Sequence, residues 1–239
     1  MSAELECPIC SGQRFIDFRG RTAVQCASCH SLERHRILAL VMQKEVIPKD
    51  ATVLLLSPEK TTLMLLQQRG ISAVTTADLY PEKYKALDPE CKRIDLSSVD
   101  SGSWPDGIYD LIIHNHVLEH VPATLAYPIF HLFRMMKDSG LQVFSVPISS
   151  GHGSEDFGDL SDELRQQRFG QADHMRRFGR DDLMKTLGAI IQVEEPNLVA
   201  DFPEEYLRKS AIPQHYWAGY SSAAAITLRK KDYLLRTTW

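Results

Sequence analysis

The chain has 239 residues, 44% of them hydrophobic and 24% charged, enough to bury one large domain, or a medium domain with a small appendage, without disulfide staples. Its 27 Lys and Arg against 31 Asp and Glu leave a net charge of −4, which argues against broad, non-specific nucleic-acid binding. No apolar run approaches the roughly 18–20 residues of a membrane span, and Met1-Ser2-Ala3-Glu4 starts no secretory signal, so a soluble, cytoplasmic protein is expected.

Four of the five cysteines, Cys7, Cys10, Cys26 and Cys29, fall at the start of the chain in a C-x2-C, fifteen-residue spacer, C-x2-C pattern. That spacing is expected of a zinc ribbon or knuckle: each C-x2-C turn offers two thiolates, and two turns close a tetrahedron at ~2.3 Å per bond. Four thiolates leave no open position, so the metal would be structural. A metal-free reduced cluster, a pair of disulfides, and a set in which His30 replaces one cysteine are the alternatives; a reducing compartment disfavours disulfides. Phe15, Ile16 and Phe18 predict a short hairpin strand, with Gly12 and Gly20 as turns. Ser31 is a candidate N-cap for a helix carrying Leu38, Val41 and Met42 as far as Pro48. Arg34, His35 and Arg36 form either a solvated or inter-domain face or an anion-contacting patch.

From about residue 51 strands alternate with helices. Thr52–Leu56 is a continuous apolar run, as in a buried parallel strand, and Ser57-Pro58 reads as an N-cap with proline at the first helical position. That helix runs to Arg69-Gly70. Further strands are expected at Ala73–Ala77 ending at Asp78, at Lys92–Ile94 ending at Asp95, at Asp110–His114 and at Leu141–Val146, with a helix over Ala123–Lys137. Such alternation implies a parallel sheet covered on both faces, with ligands at its carboxyl edge, near Asp78, Asp95 and His116.

Asp78 closing the second strand, Asp95-Leu96, and Tyr109-Asp110-Leu111-Ile112 running into His116-Val117-Leu118-Glu119-His120-Val121 resemble class I S-adenosylmethionine-dependent methyltransferases. Arg134-Met135-Met136-Lys137-Asp138-Ser139-Gly140 is similar to that family's R-x-L-K-P-G-G element. The cysteine pairs followed by Ser31–Arg36 resemble a subset with a zinc module in front. The resemblance, over about 51–229, implies a Rossmann-like seven-stranded mostly parallel α/β sheet with helices on both faces, completed by strands near Ile190–Glu194 and Ala223–Arg229. The zinc-binding module and linking helix would occupy 1–47 and the methyltransferase domain 48–239. In place of the family's glycine-rich turn after strand one stands Leu56-Ser57-Pro58-Glu59-Lys60, and without glycine the chain does not easily adopt φ > 0.

Ser57, Pro58, Glu59, Asp78, Leu79, Asp95, Leu96, Asn115 and His116 are the expected cofactor contacts. Asp78 would serve the ribose diol, with a helix or turn cap as its alternative, and Asp95 with Leu96 the adenine; Glu59, at a helix start, is either well placed by the macrodipole or meets the cofactor's amino group. A general base, where the acceptor needs one, would be a histidine. His114, His116, His120, His152 and His174 are the candidates; His114 reads more readily as packed in its strand and His120 as a cap of the following helix, which leaves His116, His152 and His174. The segment 149–179 is too long for an ordinary connection and reads as a lid, with Asp173, His174, Arg176 and Arg177 toward the acceptor, or as a solvated charged helix and turn. Tyr206, His215, Tyr216, Trp217 and Tyr220 would line an acceptor pocket, with Tyr216 as the contact, or cover the sheet edge. The activity implied is transfer of a methyl group from S-adenosylmethionine to a small or medium polar acceptor. RNA methylation, kept open by Arg14, Arg19, Arg21, Arg34 and Arg36, and a non-catalytic zinc scaffold are the alternatives.

Overall fold

The computed structural model describes residues 4–234; Met1–Ala3 of the opening segment lie outside them. The cysteine module comes first. Strands β1 (Phe15–Phe18) and β2 (Arg21–Cys26) form an antiparallel hairpin in which Phe18 faces Arg21. The two-residue connection Arg19-Gly20 has both residues at positive φ, 49° and 75°, the twist that suits a tight hairpin. Helix α1 (Glu33–Lys44) follows. Its N-cap is Leu32, whose N–H donates to His35 Nδ1 at 2.9 Å, and not Ser31.

The main sheet holds β3 (Val53–Leu56), β4 (Val74–Asp78), β5 (Lys92–Arg93), β6 (Tyr109–Asn115), β7 (Met136–Ser145) and β11 (Ile226–Arg229). Their order is β11-β7-β6-β3-β4-β5, all parallel except β11, which runs antiparallel to β7. Alternate residues feed two cores, as the two-residue period requires. Leu54, Leu56, Ile112 and Phe144 pack with Ile129, Leu132 and Met135 of α3 (Ala126–Met135). Val53, Leu55, Leu111, Ile113 and Val143 pack on the other face with Ile37 and Leu38 of α1 and Leu65 and Leu66 of α2 (Lys60–Gln68). Cys7, Ile9, Cys26 and Cys29 join this second core. The module is therefore fused to the sheet's helix layer.

Among the described residues the sheet has six strands where seven were expected. Residues 183–189 wind into two 3-10 turns, and the predicted strand at Ile190–Glu194 keeps only an isolated bridge, Ile191 to Tyr233. Glu194-Glu195-Pro196 supplies two charges and a residue without an N–H, a poor continuation for a ladder. The insert after β7 builds its own small sheet, β8 (Ile148–Ser149), β9 (Ser154–Glu155) and β10 (Arg176–Gly179) in the order β8-β10-β9, around helix α4 (Asp162–Phe169). The short helix α5 (Glu204–Lys209) lies further on.

Candidate active site

The chain leaves β3 for β4 and β5 on one side and returns to β6 on the other, so the connections diverge between the carboxyl ends of β3 and β6. Crevices of open α/β sheets form at this switch point. A cavity of about 430 Å³ occupies it, lined from β3 by Leu56 and Ser57, from β4 by Ala77, Asp78 and Leu79, and from β5 onward by Ile94, Asp95 and Leu96. His116, Val117, His120, Val121 and Pro122 form the next wall, and Asp173 and Met175 of the insert close it.

Two residues at this switch point hold unusual backbone. Ser57 has φ 49° and His116 φ 53°, the left-handed region that ordinarily favours glycine. The expectation that a glycine-free turn would avoid positive φ is corrected here. Ser57 adopts it unaided, its N–H bonded to the Ala77 carbonyl at 2.9 Å and its Oγ 2.8 Å from Tyr84 Oη. His116 is pinned by its Nε2, 3.0 Å from the Ser222 carbonyl. Strain of this kind, about 1–3 kcal/mol per residue, persists where surrounding structure fixes it, commonly at functional sites.

Residues 48–189, more than half of the chain, match the family model described as a methyltransferase domain. The chain belongs to this methyltransferase family. No protein of curated function matches it. Among solved structures it is similar to the YcgJ protein of Bacillus subtilis, at 13% identity and TM-score 0.48 over 76% of this chain and 80% of that one. It is also similar to the 1,6-didemethyltoxoflavin-N1-methyltransferase of Burkholderia thailandensis, at 15% identity and TM-score 0.46 over 81% and 76%. Geranyl diphosphate C-methyltransferase of Streptomyces coelicolor A3(2) gives 12% identity and TM-score 0.48 over 83% and 79%.

In this methyltransferase Ser57, Asp78, Leu79, Asp95, Leu96, His116 and Asp173 line the cavity. Asp78 Oδ1 also accepts the Tyr80 N–H at 2.9 Å, and Asp95 Oδ1 accepts from Ser97 N and Oγ, so each carboxylate shapes its own turn as well. Pro58 and Glu59 do not line it. Glu59 instead is the N-cap of α2 and meets the module: Arg34 donates to its Oε1 at 2.5 Å and His35 Nε2 lies 2.8 Å from Oε2. Burial alone would raise the Glu59 carboxyl, but His35 and Arg34 together pull it down to about 2. Asn115 is buried, accepting from Ser145 Oγ at 3.0 Å.

The insert's charged residues turn inward. Arg176, 2% exposed, donates to the carbonyls of Leu118 at 3.2 Å, Val121 at 3.1 Å and Ala123. Arg177 donates to Ser149 Oγ at 2.8 Å and to the Ser150 carbonyl. His174 is buried, which lowers its pKa, and it sits edge-on to His120. His152 is exposed, 4.0 Å from Asp181. Tyr216 lines a separate cleft with Ile37, Val41 and Ile226, while Trp217 is buried and donates to the Ile212 carbonyl at 2.8 Å. His114 is packed as expected, accepting from Gln142 Nε2 at 2.7 Å, and burial pushes it down to about 3. Sequence reasoning missed Tyr80, Lys83 and Tyr84 on the turn after β4; His120, weighed between general base and helix cap, forms cavity wall. The run Tyr80-Pro81-Glu82-Lys83-Tyr84, directly after Asp78, was the available signal.

The four module cysteines place their sulfurs within 4.8 Å of one another, with Cys7 to Cys29 at 3.6 Å and Cys10 to Cys26 at 3.5 Å. Tetrahedral thiolates at ~2.3 Å from zinc stand about 3.8 Å apart, so the cluster fits the ion closely. All four are free thiols, which removes the disulfide alternative, and His30 is exposed at φ 61°, outside the cluster. The hydrogen bond with Cys29 pulls the Cys7 thiol down to about 4, against its burial, and pushes Cys29 up. The Ser31 hydroxyl, 3.3 Å from Cys7 Sγ and 3.2 Å from Cys29 Sγ, serves the thiols and not the helix.

Proposed function

We propose that the cavity between β3 and β6 binds S-adenosylmethionine and that the chain transfers its methyl group to a small or medium polar acceptor. The observation that carries this reading is Asp78: an acidic side chain at the end of the second parallel strand, opening on a cavity whose apolar wall is Leu56, Leu79, Ile94, Leu96, Val117 and Val121 and whose polar side holds Asp95, His116, His120 and Asp173. A carboxylate beside apolar walls suits a nucleoside, with Asp78 for the ribose hydroxyls and Ile94, Asp95 and Leu96 about the base. Tyr84, whose hydroxyl bonds Ser57 and faces Asp78, adds a donor at the same place. The Ser57 turn is left for the methionine end.

The bound sulfonium supplies an already electrophilic methyl group, so the protein's work is alignment and exclusion of water. Positioning of that kind contributes up to ~7–11 kcal/mol. The rigid ends of β3 and β6 hold one wall, and Asp173 and Met175 of the insert cover the other. His116 and His120 line the cavity, and histidine is the residue type that takes up a proton from such an acceptor. The cysteine cluster, with four soft ligands and no open position, would hold a structural Zn²⁺. Of the arginines that kept RNA in view, Arg21 pairs with Glu33, Arg34 with Glu59, and Arg36 is fully buried, which supports a small-molecule acceptor.

Calorimetric titration with S-adenosylmethionine and its demethylated product tests the reading. Micromolar binding to the native chain, weakened 10- to 100-fold in Asp78→Ala by loss of ~1.5–3 kcal/mol of charge-assisted hydrogen bonding, is expected. Equal affinity in that variant would remove Asp78 from the site, and no binding to the folded native chain would overturn the proposal.

A further inference from the structure

A second cluster of ligand atoms adjoins the cavity and shares His120 with its wall. Glu119, His120 and His174 each place one ligand atom within 4.8 Å of the other two. Glu119 is fully buried and neither of its carboxylate oxygens accepts a hydrogen bond; its nearest nitrogen is His116 Nδ1, 3.3 Å from Oε1, on a ring whose Nε2 proton already serves the Ser222 carbonyl. A buried carboxylate without a partner is costly unless a cation compensates it. The guanidinium of Arg176 does not do so directly: its Nη atoms are committed to the Leu118, Val121 and Ala123 carbonyls, and its Nε lies 3.4 Å from Glu155.

The histidine rings are set as ligands would be. His174 Nδ1 lies 3.2 Å from the Phe169 carbonyl, and His120 Nδ1 lies 3.2 Å from the Asp173 carbonyl and 3.3 Å from its carboxylate. A proton placed on Nδ1 to serve these oxygens leaves Nε2 as the lone-pair nitrogen in both rings. Metal-ligating histidines are oriented in this way, through an oxygen acceptor on the ring nitrogen that does not bind the ion. His116 adds a further nitrogen: its Nε2 is taken by the Ser222 carbonyl, and its Nδ1 stands 3.3 Å from Glu119 Oε1. The insert is tied to this place by the Met175 N–H, which donates to the Glu119 carbonyl at 2.8 Å.

We propose that Glu119, His120 and His174, with His116 alongside, form a binding site for a divalent transition-metal cation that opens on the cavity. Two imidazoles and one carboxylate suit zinc, cobalt, manganese or ferrous iron, whereas magnesium and calcium take mainly oxygen ligands. Coordination bonds of ~2.0–2.2 Å set donors about 3.0–3.5 Å apart, so side-chain rotations of roughly 1 Å close the cluster around an ion. Three protein ligands leave coordination positions open, and His116 and His120 line the cavity, so the open side faces it. There the ion would hold an oxygen of the acceptor, a hydroxyl or carboxylate, and lower the pKa of a bound hydroxyl. This use of the ion rests on the methyltransferase reading, whereas the site itself does not.

Titration of the full chain with Co²⁺, without S-adenosylmethionine, tests the site apart from that reading. Cobalt at the cysteine cluster shows thiolate-to-metal charge transfer, and cobalt at the proposed site shows ligand-field absorption without it. The native chain is expected to take one equivalent lacking the thiolate band. Glu119→Gln and His120→Ala are each expected to weaken that equivalent at least ~100-fold while the thiolate band is unchanged; the half-exposed His120 guards against a folding failure at Glu119. A native chain that takes no such equivalent, or variants that bind it equally, would overturn the proposal. Retained cobalt binding with no S-adenosylmethionine binding would leave the site standing and remove only the methyltransferase reading.

Discussion

The cysteine cluster and the Glu119–His120–His174 cluster are built on different plans. The first comes from two local turns of four soft thiols, and it packs into the core shared by α1 and the sheet. The second joins a neighbouring pair to a residue brought from the insert, mixes nitrogen with oxygen, and stands at the wall of a cavity. A closed thiolate set can only brace, whereas an open set beside a cavity has positions to offer. The same contrast runs through two buried arginines. Arg36 donates to the carbonyls of Val24 at 3.0 Å, Ser31 at 2.9 Å and Ala211 at 2.7 Å, and so locks the module to the main domain. Arg176 does the equivalent for the turn over 118–123, which lines the cavity.

Four results would break or sharpen that contrast. The largest effect belongs to the braces: a Cys7→Ser/Cys10→Ser chain should lose its thiolate-bound metal and unfold on the order of 10 °C earlier, several kcal/mol of local folding energy going with the metal. A melting curve equal to the native one would show that the module braces nothing. Next comes the arginine pair. Arg36→Ala leaves three carbonyls without their donor and should cost about 3–5 kcal/mol in denaturant unfolding, with cofactor affinity unchanged in the chains that remain folded. Arg176→Ala should instead weaken cofactor binding, roughly tenfold or more, because the turn it holds is part of the cavity wall. Affinities that respond alike in the two variants would contradict the division of labour.

The smallest effect is electrostatic and lies at the join between module and domain. The Glu59 carboxyl sits at about 2, below its ordinary 4.5, so its contribution to stability is full above the ordinary value. It is lost as pH falls from about 4.5 through 2. Glu59→Gln should therefore be less stable than the native chain near neutral pH, by about 1–3 kcal/mol, and the gap should close on acidification through that window. A gap independent of pH would mean that the Arg34 and His35 contacts do not depend on the Glu59 charge.

Local chemistry was legible in the sequence, and contacts across the fold were not. The C-x2-C pairs state their own geometry, and Asp78 follows from a short β-branched run, Val74-Thr75-Thr76, ending in an acid before a turn. Ser57-Pro58 signalled a helix start but placed both the cap and the boundary two residues early. Proline suits a first helical turn, yet Ser57 is taken up by the left-handed turn, and the helix starts beyond Glu59. Glu59 read equally as a helix-start residue and as a cofactor contact; the helix start holds, and nothing local shows that α1 delivers Arg34 and His35 to it. Arg176 and Arg177 looked like substrate contacts for the same reason: most of their partners are backbone carbonyls, in part more than fifty residues away, which carry no sequence signature. The strand expected at Ile190–Glu194 failed because its apolar spacing fits a covered turn as well as an edge strand.

Hydrogen–deuterium exchange with and without S-adenosylhomocysteine tests the central claim most directly, namely that the β3–β6 switch point is the cofactor site. Added ligand should slow exchange in the segments around 56–60, 78–84, 94–97 and 116–122, and leave the Tyr216 cleft around 194–201 unchanged. Slowed exchange confined to that cleft, or no slowing in a folded chain at saturating ligand, would contradict it.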